Sequence, residues 1–201
     1  MPTSIGHALA GAATAWAADL FPARRVGATV RLKPDTTMAP GVRLKPDTTA
    51  WPGLALVCAA LAALPDVDVA FHAHRTVTHS VGAVLLVTII AAAVTGQVTR
   101  GDRARVARVA LTCGAAYATH LLLDWLAMDH YPPYGIQALW PFSKAWYISN
   151  LDWFPQVGRD GFFTWRIIRY NAWVIVQECL RLGPILLGVW LLRARARRAR
   201  A

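Results

Sequence analysis

Long apolar runs alternate along the chain with short polar breaks, and the runs predict helices that cross or enter a membrane. Five stand out, at 5–21, 51–71, 81–99, 106–127 and 171–192. A spanning helix needs about 20 predominantly apolar residues, within a range of roughly 17–25. The third, fourth and fifth runs meet that length, while the first is marginal and rich in alanine. The second has a clean core only from Trp51 to Leu64, before Pro65, Asp66 and Asp68 interrupt it. It reads as a short span or a re-entrant helix. The pattern predicts an all-α polytopic membrane helix bundle of about five helices, forming a single membrane-embedded domain over 1–201.

Composition supports the membrane reading. The chain is 56% hydrophobic and only 16% charged, whereas a soluble domain carries about 25% charged residues. The formal net charge of +10 would suit nucleic acid, but its placement does not. Lys and Arg stand in short blocks between apolar runs, as in cytoplasmic loops of membrane proteins, so no nucleic-acid partner is expected. If the five runs alternate sides and the N-terminus lies outside, the inside pieces hold fifteen of the 21 Lys and Arg, which favours that orientation. Cys58, Cys113 and Cys179 each sit alone in an apolar run without CxxC spacing, which reads as buried inert thiols. The opening "MPTSIGHALAGAATAW" has no Lys or Arg before its apolar run. A cleavable signal peptide has a positive n-region, so a retained first helix is expected.

Two polar stretches differ in kind. The loop 22–50 contains "VRLKPDTT" twice, at 30–37 and 42–49. Two such units are too few for a solenoid, and the loop reads as an exposed, flexible inserted segment without a catalytic role. The stretch 129–169 gathers four tryptophans with tyrosines, phenylalanines and four helix-breaking prolines. Aromatic rings favour the headgroup layer, so an aromatic-rich interfacial cap is expected there.

The scarce polar chemistry gathers between and at the ends of the apolar runs. His72, His74 and His79 lie between the second and third runs, His7 starts the first, and His120 and His130 flank the end of the fourth. In the alternating arrangement all six histidines fall on one side, together with Asp66, Asp68 and Asp124. His120 and Asp124 are four apart, which places them on one helical face. Asp124 also lies in or near the apolar layer, where an unpaired carboxylate is costly and usually functional. Thr78 or Ser80 can cap the third helix and fix His79 at its mouth. Bland readings exist for each residue alone: His7 as an interfacial histidine, Asp66 as a helix stop, His120 and Asp124 as an intramembrane pair, His72 and His74 as solvated loop residues. Glu178 and Arg181, three apart, are expected to neutralise each other, with Glu178 also able to support the site from behind. A His–Asp cluster on one face suggests a metal site.

"GHALAG", "LPDVD", "HRTVTHS", "HLLLD" and "GIQALWPFS" follow in order along the chain. Together they resemble the bacterial membrane-bound metal-dependent hydrolases of the YdjM type, which are inner-membrane proteins, and the resemblance covers most of the chain apart from the insert. It implies a multi-pass inner-membrane hydrolase that holds a divalent metal, zinc foremost. The order His7, Asp66 or Asp68, His79, His120, Asp124 is also similar to the metal-ligand order of bacterial zinc-dependent phospholipase C. Carried over, His7, Asp66, His79, His120 and Asp124 would bind metal. The later histidine pair and His-x3-Glu set of that enzyme are missing, so one or two ions are expected rather than three. Nitrogen and carboxylate donors without thiolate suit Zn²⁺, Mn²⁺ or Fe²⁺. A water activated by the metal would be the nucleophile. Asp68 would accept its proton if Asp66 ligates, and Arg75 offers a planar fork to a phosphate oxygen or else anchors the interface. The expected substrate is a phosphoester of a membrane lipid or lipid-like molecule. The alternative is a non-enzymatic metal carrier, sensor or structural protein.

Loop length adds little closure entropy. Deleting 30–41 should therefore leave membrane insertion and copurifying metal unchanged, as read by membrane fractionation and metal analysis. Loss of either would make the repeat structural.

Overall fold

The first helix begins where Thr3 caps it. α1 runs Ser4–Ala18, and the Thr3 hydroxyl accepts the Gly6 N–H at 3.2 Å, which satisfies one of the free donors of the first turn. In the computed structural model, residues 1–21, 53–71, 75–99, 102–159, 161 and 163–199 are described. The insert and the loop residues His72 and His74 lie outside them. α2 runs Leu54–Ala63. Pro65, with no N–H to donate, follows at once, and the chain tightens into a 3-10 segment, Leu64–Phe71. Ser80 caps α3, Val81–Val98, by accepting the Ala83 N–H. Asp102 caps α4, Arg103–Leu126. α5, Trp165–Arg198, carries Pro184 in its interior.

Five α-helices and no strand among the described residues make the fold all-α, as the apolar runs predict. α3, α4 and α5 are long and apolar enough to cross a membrane. α1 has 15 residues and α2 has 10, about 22 Å and 15 Å at 1.5 Å per residue. The run 51–71 is thus a short helix with a 3-10 extension rather than one continuous spanning helix. Helix length alone therefore does not support five crossings. Direction still alternates: the start of α1, the 3-10 extension of α2, the start of α3 and the end of α4 meet at one end of the bundle.

α1 packs against α2, α4 and α5, and α3 packs against α4. Small residues set these distances, as is usual between helices in a membrane. A Cβ on Gly11 would lie 2.3 Å from the Cys58 carbonyl oxygen and 2.6 Å from the Ala62 Cβ, so glycine is what lets α1 and α2 approach. Ala15, Cys58, Val109, Cys113 and Ala116 fill the core beneath. α3 leaves Leu85, Leu86, Ile89, Ile90 and Val94 exposed, a face suited to hydrocarbon. At the end of the bundle away from His7, Asp19 gathers Arg193 at 2.7 Å, Arg108 at 3.3 Å and Arg197 at 3.4 Å, tying α1 to α4 and α5.

The segment between α4 and α5 is irregular, with isolated bridges Ala127–Phe154 and Ile136–Tyr147. Among the described residues its rings form no single aromatic cluster. Phe142 and Phe163 are exposed, and Trp153 meets only its neighbour Phe154 at 6.2 Å among the described rings. A polar hub holds the segment instead. Asp129 takes the Arg75 guanidinium and the N–H groups of Gly135 and Tyr131, and Arg75 also donates to the carbonyls of Tyr131 and Pro133.

Gly11→Ala should destabilise the protein by about 1–3 kcal/mol, the usual cost of overpacking. Gly188→Ala, whose Cβ would meet nothing within 4 Å, should not. Thermal unfolding in detergent checks both, and equal melting temperatures would disprove the close contact of α1 and α2.

Candidate metal centre

Four pieces of chain meet around Asp124. α1 brings His7 one turn from its start, α4 brings His120 and Asp124 one turn apart, and the 3-10 turn Val77–His79 brings His79. The 3-10 extension of α2 adds Asp66 and Asp68. His7, His79 and His120 have no exposed surface, and Asp124 retains 2%.

Hydrogen bonds on the far ring nitrogens determine what the near ones present. His120 Nδ1 lies 2.7 Å from the Ala62 carbonyl oxygen. A carbonyl only accepts, so Nδ1 carries the proton and Nε2 of the neutral ring is a bare lone pair. His79 Nδ1 lies 2.9 Å from Thr78 Oγ1 and 3.2 Å from Asp68 Oδ2, while the Thr78 hydroxyl donates to Asp68. The proton again belongs on Nδ1. The two Nε2 atoms then face each other at 3.0 Å. Asp124 Oδ2 is 3.1 Å from one and 3.3 Å from the other. Two ring nitrogens and a buried carboxylate this close are stabilised either by a proton shared between the rings or by a metal ion held among them.

His7 stacks on His120 with ring centroids 3.7 Å apart, and its Nε2 lies 3.4 Å from Asp124 Oδ1. Neither His7 ring nitrogen, nor either Asp124 oxygen, makes a well-formed hydrogen bond among the described residues. Buried polar atoms are normally bonded, so this set fits a metal ion. Two groups of three could hold one: His79, His120 and Asp124, and His7, Asp66 and His120. Both use His120. Burial by itself lowers the basicity of His79, but its hydrogen-bonded neighbours Asp124 and Asp68 outweigh that and lift its pKa to about 9. A proton thus supplies the positive charge where no metal does.

The two aspartates of "LPDVD" take different places because a 3-10 helix repeats every three residues. Pro65 and Asp68 share the inner face and are buried, Leu64 and Val67 share the outer face and are exposed, and Asp66 lies at the edge. Asp66 Oδ1 is 3.7 Å from His120 Nε2, and its Oδ2 accepts from the Ser4 hydroxyl at 2.9 Å. Asp68, expected as proton acceptor, sits on the far nitrogen of His79, where it positions that ring as outer carboxylates position metal-ligating histidines. Arg75, expected to meet a phosphate, is 6% exposed and held by Asp129; its guanidinium already has a structural task. His130 is exposed and lies outside the cluster.

Glu178 is the residue expected to pair with Arg181 and also able to support the site from behind; Thr3, Ser4 and Asp129 have no role assigned from the sequence. Glu178 of α5 does not pair with Arg181. Its carboxylate accepts the Thr3 N–H at 2.6 Å and the Thr3 hydroxyl, which fixes the start of α1 and with it His7. A Cβ on Gly6 would approach Glu178 Oε2 to 2.7 Å, so the "GH" of the first helix is a packing requirement beside a candidate ligand. Thr3 could have been read as a cap ahead of an apolar run. Ser4 and Asp129 carry no comparable pattern.

Residues 1–197 match the family model described as YdjM inner membrane protein. No curated protein and no solved structure matches the chain. With three helices of spanning character, the family match places the protein in the inner membrane as a multi-pass protein.

His120→Ala removes the nitrogen shared by both candidate groups, and Asp124→Asn keeps the shape of the side chain but removes its charge. Both variants should insert normally yet copurify with a small fraction of the wild-type divalent metal, read by elemental analysis in detergent. Full occupancy in both would leave the cluster as a proton-sharing pair.

Proposed function

We propose that this chain, which belongs to the YdjM inner membrane protein family, is a metal-dependent hydrolase that cleaves a phosphoester of a lipid or lipid-like molecule. The observation that carries this reading is the convergence of two Nε2 atoms and a buried carboxylate beside a partly exposed aspartate. His79, His120 and Asp124 would hold the ion, with His7 as the neighbouring donor and Asp66 left free of it. The donor chemistry suits zinc. A divalent ion bound there supplies Lewis acidity, polarising a phosphoryl oxygen and making a water acidic near neutral pH.

The chain's own residues do the rest. The Ala62 carbonyl and the Asp68–Thr78 pair hold the two imidazoles in the tautomer that presents Nε2. Asp66, at the edge of the cluster, is placed to accept a proton from an attacking water. The buried walls exclude bulk water and strengthen every charge interaction inside. Glu178 keeps His7 in register through Thr3. A second reading, an ion that only staples the helices, is supported by the burial of all three imidazoles.

Purified protein loaded with Zn²⁺ or Mn²⁺ should release a phosphorylated or dephosphorylated product from phospholipid micelles, followed by mass spectrometry, and chelation should abolish the release. Asp66→Asn should slow turnover by roughly 10²–10⁴-fold, the range of general acid–base catalysis. Metal-loaded protein that cleaves nothing, but melts at a lower temperature after chelation, would favour the stapling ion.

A further inference from the structure

Within the cluster, exposure is concentrated on one side. His7, His79, His120 and Asp124 are buried, while 21% of the Asp66 side chain remains open. Asp66 is bridged to the exposed Ser4 across the gap between the start of α1 and the 3-10 segment. Among the described residues, the exposed side chains next to these two in sequence are apolar. Ile5 follows Ser4 and is 48% exposed, and Leu64 and Val67, one 3-10 turn apart, are 49% and 56% exposed. Val69, on the same edge as Asp66, is 51% exposed.

An opening that served a water-soluble substrate would be expected to carry polar rims. Here a polar pair is flanked along the chain by exposed aliphatic side chains, in a protein that lives in a membrane. Such a surface is stable against hydrocarbon and unfavourable against water. The arrangement is also amphiphilic in the same sense as a lipid: a cation-demanding cluster at the inner end and an aliphatic face at the outer end.

We propose that the cluster opens sideways into the bilayer through the gap between Ser4 and Asp66, and that its substrate is an amphiphile entering from the membrane. This rests on the hydrolase reading for the word substrate, though not for the direction of the opening. The phosphoester end would enter past Ser4, whose hydroxyl would turn from Asp66 to donate to a phosphoryl oxygen. The hydrocarbon would lie along Ile5, Leu64 and Val67. Ser4 is then a positioning residue at the entrance, and Val67 a determinant of specificity for chain-bearing substrates.

The direction is tested without any substrate. In a Cys179→Ala background that keeps the buried Cys58 and Cys113, single cysteines replace Leu64, Val67 or, as a reference on the exposed face of α3, Leu86. Each carries a nitroxide in vesicles of phosphatidylethanolamine and phosphatidylglycerol. Collisions with oxygen should outweigh collisions with a water-soluble nickel chelate at all three positions. Nickel dominating at 64 and 67 while 86 stays oxygen-dominated would overturn the proposal. A second measurement addresses the substrate path. Val67→Asp should keep its metal but lose at least about tenfold in turnover of a two-chain phospholipid, because a carboxylate is costly in hydrocarbon. Its loss on a short-chain soluble phosphoester should be much smaller, and equal loss on both would count against a path along Val67. If no phosphoester is cleaved at all, the hydrolase reading falls while the collision data still decide the direction of the opening.

Discussion

The Nε2 atoms of His79 and His120 lie 3.0 Å apart beside the buried Asp124 carboxylate, and the architecture at this end of the bundle is arranged around that contact. Two acceptors at that distance repel, and an uncompensated carboxylate in an apolar interior costs several kcal/mol. One positive charge among them turns all three interactions favourable. A proton can supply it, and the pKa of about 9 at His79 reflects that demand. A divalent ion can supply more of it, since it accepts several lone pairs at once. Because both candidate groups draw on the same His120 nitrogen, and its other nitrogen is committed to Ala62, the two groups cannot both be filled through His120.

Such a contact persists only if the surrounding scaffold prevents the rings from turning away. α1 is held at both ends, by Glu178 at Thr3 and by the three arginines at Asp19. α5 makes both contacts, so it acts as a brace along α1. Gly11 lets α2 lie close enough for the Ala62 carbonyl to reach His120. On the other flank, Arg75 ties the approach to His79 to the Asp129 hub. These groups touch no candidate ligand position directly, apart from Ala62. Removing one partner of a buried charged pair typically costs about 3–5 kcal/mol, so variants at Asp129 would act on the cluster through the fold, and variants at Glu178 would do so by releasing Thr3.

Much of this was legible in the chain before any coordinates. Apolar periodicity marked the five helices, and spacing four apart put His120 and Asp124 on one face. The order of "GHALAG", "LPDVD", "HRTVTHS" and "HLLLD" carried the family, which the match over 1–197 bears out. Helix length was less legible, since Pro65 ends α2 early and the 3-10 continuation keeps an apolar pattern without an α-helical rise. What holds the aromatic-rich segment together was not legible either. Composition counts rings, whereas that segment is held by the hydrogen bonds of Asp129, one carboxylate in an unremarkable stretch.

The sequence by itself determined the helices, the candidate donors and the membrane class, because these depend on local pattern and on composition. Only the tertiary structure decided which atom of each donor faces which. The division of labour between Asp66 and Asp68 follows from a three-residue repeat that sends one to the edge and the other behind His79. The assignment of Arg75 and Glu178 to partners at Asp129 and Thr3 joins residues 54 and 175 positions apart. Ion pairs and ring nitrogens respond to distances of a few tenths of an ångström, and those are set by how helices pack, which no neighbouring residue encodes.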